Sequence, residues 1–194
     1  NDEEEKDDIF SADTYVSEAF PISRVRNIES LIEHVRQQFF CADPVTYHKV
    51  LRQIRTSKSK KADRAYVTGM YLNDSHVKIC QMCKKPSTQV YVTEVANYGI
   101  ELPQMNLCLC PNCSGHYKSL RDNNNEAFKE AMKVAILSLN IEENSDEYEI
   151  QLDSDTSLYF TETHVAEIQT ILGLISEYGV PDGNQEERLE KALM

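Results

Sequence analysis

Apolar residues recur at helical spacing toward both ends of this chain and alternate in its middle. Ile28, Leu31, Ile32, Val35 and Phe39 share one face at that spacing, which predicts a helix over 28–40. Asp43-Pro44 restarts a helix, with Asp43 as N-cap and Pro44 at the first position. Its apolar side is Tyr47, Leu51 and Ile54, its other side is basic, and "TSKSKK" breaks it. A third short helix is expected from Ala62 to Tyr71, with Tyr66 and Met70 inward.

The middle is different. "HVKIC" and "STQVYVTEVA" are β-branched and partly alternating, so they read as strands. "MNLCLC" reads as another, with Leu107 and Leu109 on one face and Cys108 on the other. "CSGHYKSLRD" predicts a short helix, and a longer one spans about 125–139, bringing Phe128, Met132 and Ile136 together. A hairpin follows, "EYEIQL" and "SLYFT" around the polar turn "DSDT". The last helix starts at a Thr161 or Thr163 cap and buries Val165, Ile168, Ile171, Leu172 and Ile175. Gly179 and Pro181 end it. The expected fold class is α+β.

Composition narrows the possibilities. Hydrophobic residues are 41% and charged residues 27% of 194, as in an ordinary folded domain. No apolar run reaches the roughly 18 residues a membrane span needs. The chain opens on Asn rather than Met, which reads as a fragment of a longer protein. Residues 1–11 are too acidic and too poor in apolar groups to pack, and 181–194 form an acidic tail. Between these lie a helical part (12–75), a cysteine-bearing module (76–123) and a helix–hairpin–helix part (124–180). A net charge of −12 argues against sequence-blind gripping of nucleic acid by the whole surface. Residues 49–64, however, hold seven Lys or Arg and one Asp. Arg52, Arg55, Lys58, Lys60, Lys61 and Arg64 are therefore candidate phosphate contacts, the alternative being a solvated helix face.

Cys80-x-x-Cys83 and Cys110-x-x-Cys113 are two knuckles separated by 26 residues. Without a secretion signal, such pairs point to metal rather than disulfides, and to a reducing, cytoplasmic setting. Zinc favours four soft ligands in a tetrahedron, and each knuckle presents two sulfurs from one tight turn. Four thiolates would fill the coordination shell, so this zinc is expected to be structural. Lys78, Lys84 and Lys85 lie close in sequence and are expected to offset its negative charge. Cys108 is the spare thiol, and Cys41 is expected to be a small buried residue.

"ICQMC…TEVAN…MNLCLCPNC" resembles the zinc-stapled treble-clef module of HNH endonucleases over about residues 76–122. The resemblance implies that the four cysteines are its structural ligands and that Asn106 takes the family's central Asn position. It also places Asn97 where that family has its catalytic His, and Ser114 where it has a metal-binding His. An Asn amide is no general base, and a Ser hydroxyl is a poor substitute for a metal-binding imidazole. His116 lies two residues beyond Ser114, about 200° further round a helix. A wider likeness, through "RQIRTS", "YVTGMY" and "YFTETHVAEIQTIL", is to C-terminal regions of large sacsin-like or histidine-kinase-fold ATPases. It implies ATPase domains elsewhere in a parent protein, since this chain has no Walker A motif.

The remaining candidates have simpler explanations. His164 reads as a satisfied or exposed helical residue. His34 and His48 lie on amphipathic helices with no identifiable partner, and His76 reads as an exposed residue before a strand. "EENSDEYE" lacks EF-hand spacing and reads as a solvated loop. The expected function is a non-catalytic, zinc-stabilised binding module that docks DNA, RNA or a protein partner for a larger ATPase. The alternatives are a divergent metal-dependent nuclease using His116, and a purely structural or oligomerisation domain.

Overall fold

The structure, a computed structural model, describes residues 19–20, 24–42, 60–123, 125–141 and 145–180, with backbone alone at 60–63, 123 and 125. The acidic segment 1–11, the helix expected from Asp43, residues His48, Arg52, Arg55 and Lys58, and the tail 181–194 lie outside the described residues.

Helix α1 (Ile28–Cys41) starts at Asn27, whose side chain accepts from the Ser30 N–H at 3.0 Å. Its C-terminal half buries Val35, Phe39 and Phe40 against α5 (Glu162–Tyr178). Ile28 and Ile32 are exposed despite sharing the predicted apolar face, because the side of α1 that packs runs through Leu31, Val35 and Phe39. Cys41 is also exposed, contrary to expectation, although Phe40 and Ala42 on either side of it are buried. At the far end of α5, Arg36 stacks over Phe40 and Tyr178, whose rings meet edge to face at 5.3 Å.

Helix α2 (Lys60–Met70) matches the expected third helix, but its inward face differs. Val67 and the following Tyr71 are fully buried, whereas Tyr66 and Met70 are only partly so. Val67 and Tyr71 are four residues apart and face Phe20, Ile79 and Cys108, so the helix is rotated by one position from the expected stripe.

Three two-stranded antiparallel sheets follow among the described residues. Strands β1 (Lys78–Ile79) and β2 (Pro86–Ser87) frame the first knuckle. Strands β3 (Tyr91–Glu94) and β4 (Asn106–Leu109) pair Tyr91 with Leu109 and Glu94 with Asn106, across a loop that ends in a short 3₁₀ turn at Pro103–Met105. The second knuckle leads into α3 (Pro111–Asn123), which is followed by α4 (Asn125–Leu137). Strands β5 (Tyr148–Gln151) and β6 (Ser157–Phe160) form the expected hairpin, with Ile150 opposite Leu158. The α5 cap is Thr161, whose hydroxyl accepts from the His164 N–H, and Gly179 closes the helix at φ 75.

Strand β4 divides the interior. Leu107 and Leu109 face the larger core, with Val35, Phe39, Ile136, Leu158, Ile168 and Ile171. Cys108 faces a smaller one with Val67, Tyr71 and Ile79. This is the alternation the sequence predicts for β4. The larger core draws residues from all three segments 12–75, 76–123 and 124–180. The fold is thus α+β, with the cysteine module at its centre. No helix among the described residues is long and apolar enough to cross a membrane.

Candidate metal centre

The first knuckle is a tight turn set by its backbone. The Lys84 N–H donates to the Cys80 carbonyl at 2.9 Å, and the Cys80 N–H donates to the Lys85 carbonyl at 3.0 Å. Lys84 sits at φ 54, a left-handed conformation that a non-glycine residue adopts only under local constraint. This folds the chain back so that Cys80 and Cys83 point the same way. The second knuckle uses a helix start. Cys110 immediately precedes α3, Pro111 is its first residue, and the Ser114 N–H donates to the Cys110 carbonyl at 2.8 Å. Cys113 therefore lies in the first turn, where the helix dipole favours negative charge on sulfur.

Strand β4 delivers the second knuckle beside the first. The four sulfurs of Cys80, Cys83, Cys110 and Cys113 all lie within 4.8 Å of one another. Cys83 and Cys110 are 4.0 Å apart, far beyond the ~2.05 Å of a disulfide. Tetrahedral thiolate sites with metal–sulfur bonds of about 2.3 Å have sulfur–sulfur edges near ~3.8 Å, so a gap of this size fits one ion. Cys80 is fully buried and the other three are half-buried, so the gap is shielded but lies near the surface.

The electrostatics of the cluster point the same way. Hydrogen bonds from Cys113 and Cys80 pull the Cys83 thiol down to about 3, while the crowding sulfurs of Cys80 and Cys83 push Cys113 up. Ionisation of Cys83 thus works against ionisation of Cys113, and a shared cation would relieve that opposition. Soft thiolate donors suit zinc, copper(I) or iron, and the donor set alone does not choose among them.

Cys108 stays outside this cluster. It is fully buried in the smaller core, where burial pushes its thiol up to about 12. Nor does Lys84 serve as the expected counter-charge. Its ammonium pairs with Glu147 at 2.6 Å and lies over the Tyr159 ring at 4.9 Å, tying the knuckle to the C-terminal hairpin.

The other candidate positions have separate environments. Asn97 is exposed and its side chain accepts from the Gly99 N–H. Asn106 donates to the carbonyls of Leu102 and Pro103, holding the 3₁₀ turn before β4. Ser114 is buried, with its hydroxyl 2.8 Å from that of Thr93. His116 is half exposed and approaches Asp153 in the hairpin turn at 3.9 Å. Of the basic run, Arg64 is exposed on α2. Lys60 and Lys61 lie in the first turn of α2, and their side chains are outside the described atoms.

Two groups of residues escaped sequence reasoning. Gln81, inside the first knuckle, is fully buried and hydrogen-bonded on both sides. Nothing in a Cys-x-x-Cys pattern marks the identity of its middle residues. The second group is a polar cluster of the buried Tyr71, Gln104, His164 and Glu167 with the half-buried Tyr66. A signal for it existed, since positions 164, 167, 168 and 171 share one helical face, so the predicted buried stripe of α5 carries both His164 and Glu167.

Comparison with protein-family models, with curated proteins and with solved structures finds no match for this chain.

Proposed function

We propose that this chain is a zinc-stabilised binding module without catalysis of its own. In this reading a single zinc ion sits among Cys80, Cys83, Cys110 and Cys113 in a treble-clef-like centre similar to that of HNH endonucleases. The observation that carries it is the convergence of four sulfurs from two knuckles into one ion-sized gap. Zinc held by four thiolates keeps no open position for water or substrate, so its contribution is structural. A bound ion would add its binding free energy to folding.

The environments of the remaining positions support a non-catalytic role. Asn97 caps a turn, Ser114 is engaged with Thr93, and His116 faces solvent and Asp153. None supplies a buried, partnered general base beside the cysteine cluster. The module is proposed to serve a larger ATPase-type protein by docking nucleic acid or a protein partner. The nucleic-acid half of that proposal rests on the basic run at 49–64 in a chain of net charge −12, since so local a concentration of positive charge suits phosphate.

Titration of fluorescent duplex and single-stranded DNA and RNA with the protein, at about 50 and about 200 mM salt, tests this half. Binding that weakens several-fold at the higher salt supports it. Absence of salt-dependent binding to any of these ligands leaves the protein-docking half alone.

A further inference from the structure

The hairpin β5–β6 and the sheet β3–β4 belong to different two-stranded sheets, and Gln81 joins them. On one side its backbone N–H donates to the Cys108 carbonyl at 2.9 Å, and its side-chain Oε1 accepts from the Cys108 N–H at 2.7 Å. On the other side its carbonyl accepts from the Tyr159 N–H at 2.8 Å, and its Nε2 donates to the Tyr159 carbonyl at 3.0 Å. The side-chain amide takes the place of a peptide group on each side. One residue thereby acts as a strand toward β4 and toward β6, and every polar group of this fully buried glutamine is satisfied.

The orientation of Gln81 is set by the turn that contains it, between Cys80 and Cys83. We infer that metal occupancy of the four-cysteine site controls how firmly the C-terminal hairpin is docked, with Gln81 as the coupling residue. The inference rests on the zinc reading above. With an ion bound, both ends of the turn are pinned through sulfur. Without one, the turn keeps two backbone hydrogen bonds and a left-handed Lys84. If that turn relaxes, Gln81 rotates, and its pairings with Cys108 and Tyr159 weaken together because they share one residue. The Lys84 contacts with Glu147 and Tyr159 leave with it. The apolar contacts of Ile150, Leu158 and Phe160 keep the hairpin near the core, so the device loosens it rather than releasing it.

Amide hydrogen exchange on the whole chain tests the coupling. The metal-loaded protein is compared with the same protein after chelation under reducing conditions, and with metal-loaded Gln81→Met and Gln81→Glu variants whose zinc content is measured. Metal removal is expected to speed exchange at Tyr159 about tenfold or more, while Ile168 and Ile171 in α5 stay protected. Gln81→Met is expected to speed Tyr159 with zinc still bound. Gln81→Glu keeps the acceptor for the Cys108 N–H but loses the donor to the Tyr159 carbonyl, so it should loosen β6 and spare β4. The clamp is contradicted if chelation speeds Cys80 and Lys84 but not Tyr159, or if Ile168 and Ile171 lose protection equally. It is also contradicted if the folded, zinc-loaded variants leave Tyr159 unchanged. A chain that binds no metal fails the zinc reading and the clamp with it. One that binds metal with an indifferent Tyr159 fails the clamp alone.

Discussion

The Tyr71 hydroxyl lies 2.6 Å from Nδ1 of His164 in a fully buried site. Nε2 of the same ring is 2.8 Å from the Gln104 carbonyl, which can only accept. His164 is therefore neutral with its proton on Nε2, and Nδ1 accepts from Tyr71. Burial pushes the imidazole down to about 4. One turn on, Glu167 is also buried and accepts from the Tyr66 hydroxyl, and burial pushes it up to about 7. Among the described residues, Tyr66, Tyr71 and Cys108 are the other titratable groups that interact with this cluster, and burial holds each of them protonated.

These two shifts act on stability with opposite signs. The His164 contribution is present above its ordinary 6.5 and is lost as pH falls through about 4. The Glu167 contribution is present below its ordinary 4.5 and is lost as pH rises through about 7. Between 4.5 and 6.5 they oppose each other. Glu167→Gln removes one side, so the variant should gain stability relative to wild type as pH rises across that window. The difference should approach about 1.4 kcal/mol per pH unit. Urea midpoints of both proteins at several pH values check this, and the comparison cancels any pH effect of bound metal. A difference that does not change with pH contradicts it.

Removing a proposed ligand should differ in kind from removing the neighbouring thiol. Cys110→Ser is expected to lose the metal and on the order of 4 kcal/mol of stability or more. Cys108→Ala deletes one buried sulfur packed among Val67, Tyr71 and Ile79. It should keep the metal and cost about 1 kcal/mol. Metal content and thermal melting of the two variants distinguish these outcomes.

If the basic run contacts phosphate, charge reversal there should weaken binding uniformly across sequences. Lys60→Glu with Lys61→Glu is expected to reduce affinity about tenfold or more at low salt and to flatten the salt slope by about two. Arg64→Glu, on the exposed side of α2, should do the same by about one. Unchanged slopes would remove this patch from the account.

No cleavage is expected when the protein is incubated with supercoiled plasmid and Mg²⁺ or Mn²⁺, and His116→Ala should change nothing. Nicking that disappears in His116→Ala would establish the nuclease alternative, with Asp153 as the nearby carboxylate to examine next.

Much of this architecture was legible because its periodicities are clean. The stripe Val165–Ile168–Ile171–Leu172 marked α5, and alternation marked β4 as a strand between two cores. The knuckle spacing located all four cysteines that converge. What escaped were relationships between elements. The rotation of α2 is set by its packing on Phe20, Ile79 and Cys108, none of which belongs to the helix. The exposure of Ile32 depends on which side of α1 meets the core, the side through Leu31, Val35 and Phe39. The engagement of Lys84 with Glu147 and Tyr159 joins residues more than sixty positions apart, which no local pattern announces. Gln81 has meaning only once β4 and β6 flank it.

The most direct measurement is elemental analysis of protein purified under reducing conditions, followed by chelation. The account predicts one zinc per chain, with loss of the metal accompanied by a lower melting temperature and altered circular dichroism. Protein that carries no metal, and whose melting and spectrum are indifferent to chelator, would contradict it.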